Sequence, residues 1–357
     1  MKTNEFDFEW DPKAMPQDPV SLRGKSRESG KMLVLDRSTE TSRHTVFSNI
    51  CDFFRPGDLL VLNDSYMLSN TLKFHANGTD VHVTVYGHEQ DNTAIVSIEP
   101  EPSWIAPGAT MTSTDEPTLS CHLLERQKGE DGLWRARYEP IELLMPTLEL
   151  HGHRLDETVP LNPGHWKNSR KDYRAVYAKT PGSLEIPSAG LHFSKAILEQ
   201  AIDKGVEIAY ITLHVGATET LAVRHISEEE IEDHKVRSEY FEVSETAAAQ
   251  ISKARAEGRR VVAVGTTVMR TLETLAQGKD KRAPLPAQKA WTGLYIYPGF
   301  DFRAVDVLLT NLHRPRSSHI VLTAAFAGKD FVMRCYDEIA ERGDYEFDMF
   351  GDSMLIV

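Results

Sequence analysis

The sequence predicts an α/β protein built on a mostly parallel sheet flanked by helices, with a small antiparallel β unit inserted. Three observations carry this expectation. From about residue 172 onward, short apolar runs alternate with helix patterns, which implies parallel strands with helices on both faces. Between about residues 68 and 161 the texture changes to short alternating runs separated by turn residues, the signature of a small antiparallel sheet or barrel. Ahead of that stretch lies one short apolar run at 59–62 that reads as a buried strand. The expected division is therefore a discontinuous α/β unit, 1–67 with 161–357, and an inserted unit, 68–160. A chain of 357 residues suits two such units.

The elements follow in order. Residues 1–30 are irregular, punctuated by Pro12, Pro16, Pro19, Gly24 and Gly30. A strand is expected at 32–35. Pro56-Gly57-Asp58 marks a turn into the run at 59–62. In the insert, runs at 80–86, 93–98, 120–124 and 133–138 alternate apolar and polar residues, and Asn77-Gly78, Gly108 and 129–132 separate them. A polar link, Gly152-His153 and then 160–171, leads back. Ser194 caps a helix that stops at Gly205. A strand follows at 206–215, a helix start at 227–230, a helix at 244–257 and a strand at 260–265. After these come a helix at 267–276, strands at 293–297 and 305–309, and helices at 317–327 and 331–342. There is no internal repeat.

Composition bounds the function. No run approaches the roughly 18 apolar residues needed to cross a bilayer. Met1 to Trp10 is acidic and aromatic, unlike a secretory signal. Cys51, Cys121 and Cys335 are far apart and lack CxxC spacing, so neither a disulfide framework nor a metal site is expected, and a cytoplasmic protein is. The net charge of −13 opposes nucleic acid at long range. An RNA partner would need a local basic patch working against that field.

Several segments carry candidate chemistry. His192, in the turn at 187–194, and His214, at the end of the strand at 206–215, stand at element ends where an ordinary core has little use for imidazole. Histidine alone titrates near neutrality, so it can move a proton or hold a polar ligand edge. The plain alternative is two satisfied core histidines. Gly265, Thr266 and Thr267 sit where a strand meets a helix, a place for an anion or nucleoside, with Arg270 one turn on. The plain alternative is a capped helix with a surface Arg270–Glu273 pair. Glu239 closes a charge-dense segment and can anchor a ribose or a base edge, unless 233–239 is only a solvated loop. The segment 310–319 holds His313, Arg314, Arg316, Ser317 and His319 and is the strongest basic cluster. It suits a phosphate or simply caps a helix. Asn63-Asp64-Ser65 is either an Asx turn or an acidic group delivered to a strand's end.

Taken in order, these segments resemble a known family. PGDLLVLND (56–64), YRAVYA (173–178), PSAGLHF (187–193), TLHVG (212–216) and VGTTVMRTLE (264–273) are followed by YPGFDF (297–302), TNLHRPRS (310–317), AFAG (325–328) and GDSM (351–354). The set is similar to the S-adenosylmethionine:tRNA ribosyltransferase-isomerase family of queuosine biosynthesis. The resemblance runs from about Met32 to the C-terminus and is weakest across 68–160. It implies that the insert is a β-barrel. It also implies transfer and isomerisation of the ribosyl part of S-adenosylmethionine onto the aminomethyl group of 7-aminomethyl-7-deazaguanine in tRNA, giving epoxyqueuosine and releasing adenine and methionine. S-adenosylmethionine is then a substrate, and no permanently bound cofactor is expected. The sulfonium acidifies the C5′ proton and makes sulfur a good leaving group, so the reaction calls for a base and then an acid. The resemblance points to His192, His214, His313 and Arg270 as catalytic. It points to Asn63, Asp64, Tyr177, Gly190, Glu239, Gly265, Thr266 and Thr267 for S-adenosylmethionine, and to Arg237, Arg314, Arg316 and Ser317 for the acceptor. A monomer is expected.

The departures from the family pattern fall together. The family continues Asn-Asp with Thr-Arg-Val, but here Ser65-Tyr66-Met67 stands, without the arginine. Its Thr-Gly-Gly and Val-Glu become 77–82. Its Gly-Thr-Phe-x-Pro-Val becomes 217–223, with Glu219. Its His-x-Met-His-x-Glu becomes 234–239, with Arg237 for the second histidine. Its Phe-His-Leu-Pro-Lys-Ser becomes 312–317. Tyr66 has no fixed charge, and Arg237 cannot exchange a proton near neutrality. These changes keep two further readings in view: a relative with a different, small-molecule or nucleoside acceptor, and a binding protein with dead chemistry.

Overall fold

The computed structural model describes residues 1–89, 91–127, 132–153, 170–216 and 224–357. The chain begins in 3-10 turns and enters the main sheet with β1 (Lys31–Asp36), β2 (Thr41–Val46) and β3 (Leu59–Asn63). It leaves through β4 (Ser65–Met67) into β5 (Thr71–Ala76), β6 (Thr79–His88), β7 (Thr93–Glu99), β8 (Thr110–Ser113), β9 (Ser120–Arg126) and β10 (Leu133–Glu139). These last six close into an antiparallel barrel, followed by helix α1 (Leu144–His151). The chain returns through β11 (Thr180–Ser183), which pairs in parallel with β4. Then come α2 (Lys195–Asp203), β12 (Glu207–Leu213), β13 (Glu239–Val243), α3 (Glu245–Ala256), β14 (Val261–Val264) and α4 (Thr266–Ala276). The chain ends with β15 (Gln288–Thr292), β16 (Val307–Asn311), α5 (Ser318–Ala327), α6 (Lys329–Arg342) and β17 (Ser353–Ile356).

The main sheet has nine strands in the order β15-β13-β12-β3-β14-β16-β17-β1-β2. Its centre, β12-β3-β14-β16, is parallel, as is β17 with β1. The outer pairs, β15 with β13 and β1 with β2, are antiparallel. Central strands read as unbroken apolar runs because both faces are covered. Leu59 and Val61 of β3 pack into one core, and Leu60 and Leu62 into the core on the opposite face. Val261 and Ala263 of β14 divide from Val262 and Val264 in the same way. Ser194 caps its helix as expected, and Ser244 and Ser317 cap two others: the three accept an amide hydrogen bond from Ile197, Ala247 and Ile320. Within the barrel, Phe74, Val83, Met111, Leu123, Trp134 and Tyr138 fill the interior.

Some expected elements differ. The strand near 293–297 is instead β15, one step earlier, because residues 288–292 pair with β13 at the sheet edge while Leu294, Tyr295 and Ile296 turn away to wall a cavity. The helix start at 227–230 is only a 3-10 turn at Ile231–Asp233. Its acidic residues hold the amino terminus instead: the Met1 ammonium pairs with Glu230 at 2.9 Å and Glu232 at 2.8 Å. Strands β2, β4, β5, β8, β11, β13 and β17 and helix α1 were not anticipated. Their residues are too polar, or the segments too short, to announce themselves without the partner strand.

A buried polar junction fixes how the sheet, its return strand and the barrel meet. The Asn63 amide donates to the Leu213 carbonyl at 3.0 Å and accepts the Leu213 N–H at 3.0 Å and the Ser65 N–H at 3.2 Å. The contact to Ser65 is the Asx turn expected from Asn63-Asp64-Ser65. The Ser65 hydroxyl also donates to the Leu213 carbonyl at 2.7 Å and shares a bond with the Ser183 hydroxyl at 2.8 Å. Ser183 accepts the Val215 N–H at 3.0 Å. Truncating Asn63 orphans the buried Leu213 N–H and weakens the pairing of its carbonyl. Asn63→Ala is therefore expected to lower unfolding free energy by about 2–3 kcal/mol. A urea titration should show a lower midpoint with an unchanged slope.

Candidate active site

Ligands in open α/β sheets bind beyond the carboxyl ends of the strands. The neighbouring strands β3, β14 and β16 end here at Asn63, Val264 and Asn311, and all three residues line one cleft. The cleft encloses about 1050 Å³ of open space, mouth included. Gly265 turns the chain from β14 into α4 with φ 91°, a backbone shape that favours glycine. Its N–H is held by the Leu309 carbonyl at 2.7 Å. Thr266 and Thr267 then present the amino end of α4 to the cleft, where amides without helical partners and a positive dipole end favour an anion. On the opposite wall run 186–190 and Tyr177. A Cβ on Gly190 would overlap the Tyr177 hydroxyl, so Gly190 is the residue that lets the tyrosine lie flat against this turn.

Arg270 and Glu239 form the cleft's central ion pair. The Arg270 guanidinium donates to Glu239, to the Leu294 carbonyl at 2.9 Å and to the Thr292 carbonyl at 3.3 Å. The other Glu239 oxygen accepts the Gly216 N–H at 2.9 Å. The expected alternative, a surface Arg270–Glu273 pair, is absent. Glu273 is buried and accepts the N–H groups of Arg303, Ala304 and Val305 at 2.9, 3.0 and 3.0 Å. A second network lies across the cleft. Arg224 bridges Glu185 at 2.7 Å and Asp348 at 3.3 Å, and Asp348 also holds Arg314 at 2.9 Å.

The four catalytic candidates do not converge. Only His313 and Arg270 line this cleft. His313 is buried, its Nε2 lies 3.1 Å from the Thr310 hydroxyl, and its ring leans on His319 at 5.0 Å. Burial, reinforced by the Arg224 charge, pushes His313 down to about 3. His319, which also lines the cleft, is pushed down as well. His192 faces a separate pocket with Arg27, Gly30 and Asp352 and stacks on Phe47 at 5.1 Å. Burial lowers it to about 4. His214 opens into another cavity, against the barrel. The pairing of His192 with His214 expected from the sequence is thus split: the turn carrying His192 lends its backbone to the cleft and sends the imidazole to the other side.

The remaining candidates are placed as follows by the fold. Asp64 lies outside the cleft and is spent on the Thr212 hydroxyl at 2.7 Å and on Lys179 at 3.5 Å. Asn63 lines the cleft, but its amide serves the junction. Arg316 points to the surface and pairs with Asp7 at 2.6 Å. Ser317 caps α5, and Arg314 is held by Asp348. Arg237 is placed on the cleft wall. Beside Tyr66, where the family's arginine is missing, the Arg174 guanidinium stacks over the ring at 3.7 Å. A cation therefore returns from another part of the chain. Residues 217–223, including Glu219, lie outside the described residues. Sequence reasoning missed Arg224, Tyr295 and Asp348. No local pattern marks them, because each reaches the cleft from a loop whose partner is distant in the chain.

The whole chain matches known proteins. The profile of the queuosine biosynthesis protein family aligns with residues 3–356. An S-adenosylmethionine:tRNA ribosyltransferase-isomerase of Thermotoga maritima is 38% identical across the full length of both chains. One of Macrococcus caseolyticus is 37% identical, again over both full lengths. The crystal structure of an S-adenosylmethionine tRNA ribosyltransferase from Thermotoga maritima superposes with a TM-score of 0.54 at 30% identity, covering 99% of this chain and 100% of that one.

The buried histidines make stability depend on pH. A histidine held near 4 in the fold and near about 6.5 when unfolded binds its proton first in the unfolded chain. Stability is therefore complete above about pH 6.5 and falls as pH drops toward 4, by on the order of 3 kcal/mol for His192 alone. Urea unfolding at pH 7, 5.5 and 4.5 is expected to show this decline. His192→Gln, which cannot titrate, should flatten it by that share.

Proposed function

Since the chain belongs to the queuosine biosynthesis protein family, we propose that it is an S-adenosylmethionine:tRNA ribosyltransferase-isomerase. Its substrates on this reading are S-adenosylmethionine and tRNA bearing 7-aminomethyl-7-deazaguanine. The amine loses one proton and gains the five-carbon ribosyl unit as an epoxide-bearing ring. The C5′–sulfur electrons leave with methionine, and the C1′–nitrogen electrons leave with adenine. Full-length similarity to relatives named for this activity favours it over a different acceptor or a dead binding relative.

One observation carries the mechanistic reading: a neutral, buried imidazole, His313, shares its cleft with the amino end of a helix and the Glu239–Arg270 pair. The amino end of α4, at Thr266 and Thr267, suits the methionine carboxylate. Tyr177 and Tyr295 give the nucleoside apolar walls. Arg270 ties residues 292 and 294 into place, so it shapes the cleft while remaining engaged by Glu239. His313 is unprotonated at neutral pH and free to accept the C5′ proton. Its protonated form is acidic, so it gives the proton up readily to departing adenine. A tRNA substrate favours a cytoplasmic protein, and a monomer belongs to the same reading. Among the described residues, no helix is long and apolar enough to cross a membrane.

Purified protein given S-adenosylmethionine and the modified tRNA is expected to release adenine, measured by liquid chromatography. Folded protein that releases none refutes the reading. His313→Ala should lower kcat by about 100-fold or more while S-adenosylmethionine binding persists. His192→Gln should retain turnover, since its ring faces another pocket. Because burial lowers the His313 pKa to about 3, the rate profile should show no acid limb from this base between pH 5.5 and 8.

A further inference from the structure

A second cavity lies beside the cleft, between the barrel and the β13–β15 edge of the main sheet. It shares Val215, Arg237 and Glu239 with the cleft as a common wall. Its sheet-side floor is aromatic. The His214 ring lies parallel to Tyr240, at 5.9 Å and 10°, and Tyr240 meets Trp291 edge-on at 5.6 Å. The plane of His214 is set by the backbone behind it. A Cβ on Gly182 would stand 2.6 Å from the ring, and Gly182 has φ +136°, so the close approach depends on glycine. The buried Nδ1 of His214 has no hydrogen-bond partner in the protein. On the barrel side the register slips within β6 and again within β10, and Tyr86, Gly87 and Arg135 beside these slips face the cavity. Such irregularities re-aim side chains at sites.

We propose that this second cavity seats the acceptor base of the tRNA, unstacked from its neighbours and laid on His214, Tyr240 and Trp291 with its aminomethyl group directed toward the wall shared with the cleft. The inference rests on the transferase reading above and deepens it. A nucleobase must leave its stack to reach an enclosed reacting centre, and an aromatic floor repays that cost through base stacking. Charge selects what enters. At the barrel rim a single guanidinium, Arg135, is shared by Glu89 at 2.7 Å, by Asp91 and by Glu125 at 3.5 Å. Three carboxylates around one cation repel phosphate and favour a primary amine. The RNA backbone is therefore kept outside while the base passes in. On this placement His214 is a positioning residue for the acceptor.

Two measurements test this on the full chain. In equilibrium binding by fluorescence anisotropy at fixed salt, wild type should prefer tRNA carrying 7-aminomethyl-7-deazaguanine over the same tRNA carrying guanine. Trp291→Ala and His214→Gln should each remove most of that preference while leaving S-adenosylmethionine affinity within twofold. In turnover, Trp291→Ala should raise KM for tRNA about 10-fold or more, as expected from one lost stacking contact, and Trp291→Phe should recover most of it. Wild type without the preference, or variants that keep both it and the wild-type KM while folding normally, would overturn the proposal. A loss of S-adenosylmethionine affinity equal to the loss for tRNA would also overturn it. Failure of the transferase reading is seen separately, as wild-type protein that binds both substrates but releases no adenine.

Discussion

The architecture depends on the hydrogen bonds that Asn63, Ser65 and Ser183 make where β3 ends. At that point the chain leaves the sheet for the barrel, and β11 later brings it back. Backbone groups there cannot continue the ladder and are shut away from water, a situation that costs about 1–3 kcal/mol for each unpaired group. The Asn63 amide and two hydroxyls satisfy them. In doing so they fix the end of β12 at Leu213 and Val215, and with them His214 between. The cleft and the second cavity share this wall, so a junction that looks purely structural sets the distance between them.

Charge and burial are divided between the two cavities. In the cleft, fixed charges are compensated: Arg270 by Glu239, and Arg224 and Arg314 by Asp348 and Glu185. The imidazoles beside them are kept neutral by burial. On the proposed function, a sulfonium substrate meets these balanced pairs. At the barrel rim the balance is broken in favour of carboxylates. This local pattern, more than the overall charge of −13, decides which part of an RNA can approach.

Much of the fold was legible because its signals are local. The unbroken apolar runs at 59–62 and 261–264 follow from burial on both faces, and the serine cap at 194 follows from amides that need an acceptor. Strands such as β2 and β13, half polar and lying toward the edges, carry no such signal. They exist because β1 and β15 offer a ladder. The site was legible in part. The strand-to-helix turn at Gly265 and the basic segment at His313 both reach the cleft. Arg224 and Asp348 gave no sign, because their pairing spans 124 residues.

By itself the sequence determined the alternation of strand and helix, the insertion, the order of the motifs and the family they resemble. These are properties of neighbouring residues and of chain order. Which histidine faces which cavity was decided only in three dimensions. A 3-10 turn can point its backbone into one pocket and its side chain into another, as the turn at His192 does. A strand end can likewise place an imidazole beyond the wall that its neighbour Val215 builds. Proximity along the chain fixes what residues are available. The direction of each side chain is fixed by packing against elements far away in sequence, and that direction separates His313 from His192 and His214.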